Sequence, residues 1–269
     1  MPIISERYKI VVKESLTTLY PSILCVNYNF VAHFYSRLTV NCIKMTKLFF
    51  IFSLLLSACI NLCAQDRKSL RDSLTAATNL LEYHPDSLDL RLKKAAWNLQ
   101  LEQWQYAKDE YDFILSRVPN NVSALYYRAY ANEKLGRYKF ARLDYEHVLT
   151  RVPGNFQSLL GLALLNQKDH RYSEAFDQIN RLVSQYPDSA VAYAARAGIE
   201  KERSMNDLAL FDYEEAIKRD PQNTDYRLER IDILLNLRKR EPARQALDEL
   251  VRMGVPRATL IPLYKRCTK

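Results

Sequence analysis

Three histidines stand beyond residue 64, His84, His147 and His170, and one cysteine, Cys267. A metal centre would need such residues paired on one helix face or in short Cys/His clusters. No His here has a second His four residues away, and none adjoins a Cys. Gly-rich phosphate loops, a G-x-S-x-G elbow and a Cys/His nucleophile pair are also missing from the sequence. Acidic neighbours such as Asp109-Glu110 and Glu214-Glu215 fall in helical stretches and read as solvated faces. The expectation is a non-enzyme with no catalytic residue, metal or cofactor, whose chemistry is binding.

Composition narrows the class. The 269 residues are 48% hydrophobic, enough for a core, and only five are glycine, which favours helices over sandwiches, barrels or Gly-looped nucleotide folds. The formal charge of +8 points toward nucleic acid until its location is considered. Residues 45–65, "MTKLFFIFSLLLSACINLCAQ", have a Met and a Lys ahead of an uncharged apolar run from Leu48 to Ala64. That is the layout of a secretory signal peptide. An uncleaved anchor is the other reading, but the run is at the short end of the spanning range and holds Ser, Asn and two Cys.

Two cleavage sites compete. Ala64 before Gln65 suits an ordinary signal peptidase, whereas Leu56-Ser57-Ala58-Cys59 resembles a lipobox in which Cys59 would be lipidated. The expected location is therefore the periplasm or cell envelope, with membrane attachment only through that lipid or an uncleaved signal. Residues 1–44 show no usable periodicity and fit untranslated or disordered sequence ahead of a start at Met45. From Gln65 onward 33 basic residues face 29 acidic ones, a net +4, and the signs alternate along the chain. No nucleic-acid footprint is expected, and one cysteine makes no disulfide framework.

The elements that position any binding surface are written in a repeat. Pro85, Pro119, Pro153, Pro187 and Pro221 are each 34 residues apart, a spacing diagnostic of repeat arrays. Two residues after each comes Ser87, Asn121, Asn155, Ser189 or Asn223, all strong helix N-caps. Each proline stops one helix and each cap starts the next. Numbering each unit from 1 with proline at 32, position 8 is Ala95, Ala129, Ala163, Ala197 and Ile231. Position 20 is Ala107, Ala141, Ala175, Ala209 and Ala243, and position 24 is large: Tyr111, Tyr145, Ile179, Tyr213 and Leu247. Small residues let paired helices approach closely, and the large ones complete a buried stripe. Gly136-Arg137 and Asp169-His170-Arg171 mark turns inside the units.

These residues resemble the tetratricopeptide repeat family, most closely over 122–155, "VSALYYRAYANEKLGRYKFARLDYEHVLTRVPGN". The resemblance implies an all-α fold, a right-handed superhelix of antiparallel helix pairs. It covers units 88–121, 122–155, 156–189 and 190–223, then a divergent unit 224–257 in which the closing proline slips to Pro256 and Pro242 enters the second helix. Residues 65–87 are expected to hold an N-terminal capping helix, and 258–269 a short closing helix, over 258–266, and a tail.

Position 7 departs from the family's usual Leu, being Lys94, Arg128, Leu162, Arg196 and Arg230. Position 23 is Glu110, Asp144, Gln178, Asp212 and Ala246, so an ion pair within a unit is expected wherever both charges are present. Arg230 lacks that acid and is left open to another role.

In this family positions 2, 5, 9, 12 and 13 face a concave groove. Here the second unit places Ser123, Tyr126, Tyr130, Glu133 and Lys134 there, and the third Gln157, Leu160, Leu164, Gln167 and Lys168. The fourth places Ala194, Gly198, Lys201 and Glu202, and the last Asp225, Leu228 and Asp232. Apolar residues on a solvated concave face would receive a peptide or partner helix; the competing reading is that the tyrosines pack against neighbouring units. The Lys and Asn of the family's carboxylate clamp are replaced by Tyr126 and Tyr130, or Leu160 and Leu164, so an acidic chaperone tail is not the expected ligand. The expected function is an envelope scaffold that binds a protein or peptide. The alternatives are an adaptor that self-associates through its convex faces or ends, or an accessory subunit of an enzyme.

Overall fold

The computed structural model describes residues 67–268, so the leader at 45–64, Cys59 and residues 1–44 lie outside the described residues. Twelve helices and no strand occur among the described residues. After α1 (67–83) they run in pairs: α2 (Leu88–Gln100) with α3 (Trp104–Arg117), α4 (Val122–Lys134) with α5 (Tyr138–Arg151), and α6 (Phe156–Lys168) with α7 (Tyr172–Gln185). Then come α8 (Ala190–Glu202) with α9 (Asn206–Arg219), α10 (Thr224–Asn236) with α11 (Arg240–Arg252), and α12 (Arg257–Thr268). The closing helix is thus longer than 258–266 and continues through Pro262. It tolerates the proline because the carbonyl left unbonded, that of Ala258, belongs to an exposed residue that water can serve.

Every unit boundary is closed by a side chain. Ser87, Asn121, Asn155, Ser189 and Asn223 sit in extended backbone, and each side chain accepts a hydrogen bond from an amide of the next helix. The distance is 2.9 Å for Ala124 onto Asn121 and for Ser158 onto Asn155. Guanidinium groups donate to the carbonyls of the boundary prolines: Arg91 to Pro85, Arg181 to Pro153, Arg219 to Pro187 and Arg227 to Pro221.

The turn inside each unit is closed by backbone instead. Position 15 has positive φ in all five units, at Glu102, Gly136, His170, Ser204 and Arg238. Its neighbour's amide then reaches back to the carbonyl of position 11, as Arg137 does to Asn132 at 2.8 Å. Only one of the five is glycine, so four turns hold an L-residue in a conformation that disfavours it.

The small residues do the packing. The alanines at positions 8 and 20 and Ile231 have no exposed area, and the large residues at position 24 are buried beside them. First helices also touch first helices of adjacent units, α4 on α6 and α6 on α8, which sets them on the inside of the curve. At the first junction Tyr111 stacks on Tyr127, with ring centroids 6.0 Å apart. At the next, Gly161 lies against the Tyr145 ring so closely that an added Cβ would come within 2.8 Å of it.

Position 7 joins units as well as helices. Lys94 meets Glu110 at 2.7 Å, Arg128 grips Asp144 with two nitrogens, and Arg196 grips Asp212 likewise. The same guanidiniums reach position 25 of the preceding unit, Arg128 to Asp112 and Arg196 to Asn180. Arg230 is not left open: without an acid at Ala246 it turns to Glu214, at position 25 of the preceding unit, at 3.0 Å.

Position 11 carries a buried polar row, Asn98, Asn132, Asn166 and Glu200. Burial and the neighbouring Asp212 push the Glu200 carboxyl up to about 7, against the lowering influence of Arg196. The folded chain therefore keeps a proton that the unfolded chain releases near 4.5, so stability falls as pH rises through that window and stays lower above it.

Three outcomes follow. Glu200→Gln should remove that slope and raise stability at pH 8 by on the order of 2 kcal/mol, measured by urea unfolding at several pH values; a parental slope in the variant would exclude the assignment. Ser204→Gly should raise stability by up to about 1 kcal/mol, since the left-handed backbone costs an L-residue about 1–2 kcal/mol and glycine gives back roughly 0.5–1 kcal/mol in chain entropy. Gly161→Ala should lower it, because forcing a methyl into the Tyr145 ring costs about 1–3 kcal/mol, more than the roughly 1 kcal/mol of helix propensity gained. An unchanged or higher Tm for Gly161→Ala would show that the junction is slack.

Candidate partner-binding groove

Tyr126 and Tyr130 lie one turn apart on α4, and Leu160 and Leu164 occupy the same positions on α6. The tyrosines are half-buried. Tyr126 meets Tyr127 edge-on at 5.1 Å and Tyr145 at 5.8 Å, and Tyr130 meets Trp104 edge-on at 5.9 Å. Lys134 caps this corner, its ammonium 5.1 Å from the Tyr130 ring centre and 5.8 Å from that of Trp104. The two readings of the tyrosines are thus compatible: one part of each ring packs on neighbouring helices while another faces solvent. Leu160 is half-buried and Leu164 is 39% exposed, extending the apolar strip into the third unit.

Apart from Lys134 and Asp225, the charged groove residues are held by partners within the array. Lys168 reaches Glu133 at 3.5 Å, and Gln167 donates to Glu202 at 2.5 Å. Lys201 is held by both Glu229 and Asp232 at 2.8 Å, and Asp232 also takes Arg266 of α12 at 2.9 Å. Burial opposes the Lys201 charge, yet its two carboxylate partners outweigh that and raise its pKa. Burial also works against the Asp232 carboxylate, and bonds from Lys201 and Arg266 overcome it and lower its pKa. Each link joins a first helix to an element of the following unit, so the ladder ties units together along the inner face. Lys168 and Lys201 are consequently less available to a ligand than their exposure alone implies.

Trp104 was missed by repeat-position reasoning because it stands at position 17, the first residue of a second helix, outside the five inward positions. Its side chain nevertheless reaches Tyr130. The only advance sign is that it is one of two tryptophans in the chain and sits at a helix start. Among the described residues there is no cluster of His, Cys, Asp and Glu suited to a metal ion, and no helix long and apolar enough to cross a membrane.

Comparison with known proteins agrees with this geometry. Tetratricopeptide repeat models match residues 98–155 and 157–189. No curated protein matches the chain. A tetratricopeptide repeat protein from Parabacteroides merdae is similar in structure, with a TM-score of 0.59 and 22% identity, over 76% of this chain and 80% of that one. MamA from Desulfovibrio magneticus RS-1 superposes with a TM-score of 0.56 at 17% identity, covering 63% of this chain and 96% of its own. YrrB, described as a tetratricopeptide repeat protein with an unusual peptide-binding site, gives a TM-score of 0.51 at 19% identity, over 70% and 97%. With capped boundaries every 34 residues and buried alanines at positions 8 and 20, the chain carries tetratricopeptide repeats, matched directly over residues 98–155 and 157–189.

Proposed function

We propose that this protein is a non-catalytic scaffold of the bacterial cell envelope that holds a peptide or helix of a protein partner against the inner face of α4 and α6. The observation that carries the reading is the aromatic corner of Trp104, Tyr126 and Tyr130 beside the exposed Leu164, on a face where Glu133, Lys168, Lys201 and Asp232 are paired internally. A surface so arranged recognises apolar and aromatic side chains and adds little long-range electrostatic attraction. The similarity to YrrB, whose description names a peptide-binding site, supports the kind of ligand. The envelope setting rests on the apolar run from Leu48 to Ala64 after Lys47, with Cys59 as the point of lipid attachment if the lipobox is used.

Changing Tyr126 and Tyr130 together to Ala should abolish recovery of the native partner from envelope extracts while leaving the circular dichroism spectrum and oligomeric state as they were. Intact recovery would sink the groove assignment. Affinity for that partner should change by less than about threefold between roughly 0.05 and 0.5 M salt, since most groove charges already have internal partners and Lys134 lies against the Trp104 and Tyr130 rings. Mass spectrometry of the native protein should find Gln65, or a lipid-modified Cys59, at the N-terminus; a chain beginning at Met1 would overturn the export argument.

A further inference from the structure

The positive charge of the array gathers around its last two helices. Residues 237–268 hold eight basic residues against three acidic ones, an excess of five where the chain from Gln65 onward has a net +4. From Arg91 to Arg230 most cations reach a carboxylate of the same or an adjoining unit. By contrast, Arg238, Arg240, Arg244, Arg257 and Lys265 have no carboxylate partner among the described residues. The three acids offer them little. Glu249 pairs with Arg227 at 3.7 Å, Asp248 accepts from the Tyr264 hydroxyl at 2.6 Å, and Glu241 alone keeps an unpaired charge.

The fold does not account for these cations. Arg240 and Arg257 are the first residues of α11 and α12, where the helix dipole opposes a positive charge. Burial raises the Cys267 pKa, and the fields of Arg244, Arg266 and Arg240 work against that rise while Glu241 adds to it, so these side chains gather where α12 meets the start of α11. Arg244, Arg257 and Lys265 line a shallow cavity of about 350 Å³ along the seam of the two helices, together with Ile261 and Tyr264, and its lining includes no carboxylate.

One side of α12 packs on α11, with Leu260 buried and Leu263 against the same core. Arg257, Ile261 and Lys265, one turn apart, form its outer row. Ile261 is 47% exposed, and Pro262 is exposed beside it. An apolar tip flanked by free cations suits a helix that lies in a lipid headgroup layer.

We infer that the α11–α12 end of the array docks on a bilayer rich in anionic phospholipid. Arg240, Arg244, Arg257 and Lys265 meet headgroup phosphates, one of which enters the cavity, while Ile261 and Pro262 reach the acyl boundary. Charge complementarity selects the anion. The layout selects a layer, because the cations are strung along two helices instead of converging on one point, with the apolar residue among them. A run of acidic side chains would satisfy the cations and leave Ile261 in water. This contact is separate from the groove and does not depend on export, since only the charge of the bilayer matters to it.

The test sediments the chain from Gln65 with lipid vesicles; this form keeps every described helix and lacks the apolar run from Leu48 to Ala64, and a cooperative urea transition certifies its fold. Vesicles of phosphatidylglycerol and phosphatidylcholine in equal parts should bind it at least about tenfold more tightly than phosphatidylcholine alone, and the difference should shrink as salt rises to about 0.5 M. Arg244→Gln with Arg257→Gln should weaken binding about fivefold for each charge removed, and Ile261→Ser about threefold or more, with unchanged circular dichroism spectra. The double variant should still recover the groove partner as the parent does, which separates a failure here from a failure of the groove. Membrane docking is excluded if neutral and anionic vesicles bind alike, if neither binds below about 1 mM lipid, or if the double variant binds like the parent. A Glu-rich dodecapeptide that binds as tightly as the vesicles and is indifferent to Ile261→Ser would assign the surface to an acidic protein segment instead.

Discussion

The array depends on one steric condition, that a methyl group and nothing larger stands where two helices cross. Ala95 and Ala107, Ala129 and Ala141, and their successors have no exposed area, and the bulk that fills the remaining space comes from Tyr111, Tyr145 and Ile179 one turn along. Close approach concentrates dispersion and hydrophobic contact into a small interface, which lets units of only two short helices stack into a continuous core. Ile231 breaks the rule in the last unit, and there the packing is completed by α12 and its buried Leu260.

Charge does a different job from apolar packing in this molecule. The position 7 guanidiniums are partly buried and bind carboxylates on two other helices, one in the same unit and one in the preceding unit. Arg128 has a raised pKa because its bonds to Asp144 exceed the opposing effect of burial. Such groups fix how the two helices of a unit lie, since a bidentate pair tolerates little rotation, and their third nitrogen ties that pair to the unit before. The inner ladder from Glu133 to Arg266 repeats that function on the other face. The two faces of α4 are therefore chemically unlike: the inner one carries Tyr126, Tyr130 and the Glu133 end of the ladder, the outer one the guanidinium of Arg128 clamped between Asp112 and Asp144.

The fold was legible because its determinants are local and periodic. Proline at 32 and Ser or Asn at 34 act within a few residues, so the boundaries read directly from the chain, and the Arg128 to Asp144 and Arg196 to Asp212 pairs follow once each unit is folded back on itself. What escaped depends on the next unit along. Glu214 serving Arg230, Trp104 leaning on Tyr130 and Arg142 reaching Asn166 all cross a unit boundary, where position numbers within one unit give no guidance. Most of the strained residues at position 15 escaped for another reason: His170 falls in a stretch that reads as a turn, but Glu102, Ser204 and Arg238 carry no residue-type mark of a left-handed one. The groove residues were placed by repeat position, and their roles as ligand contacts rest on the chemistry of the surface they form.

The side-chain caps at the unit boundaries have an evolutionary consequence. Because Asn121, Asn155 and Ser189 make equivalent joints, removal of residues 156–189 would leave Asn155 directly ahead of Ala190, a cap ahead of a helix. Arg196 would then find Glu146 at the position Asn180 had held, an acid in place of an amide. Loss of a whole unit would thus keep the caps and the charged contacts but tighten the joint itself, because Ala195 would stand where Gly161 meets the Tyr145 ring.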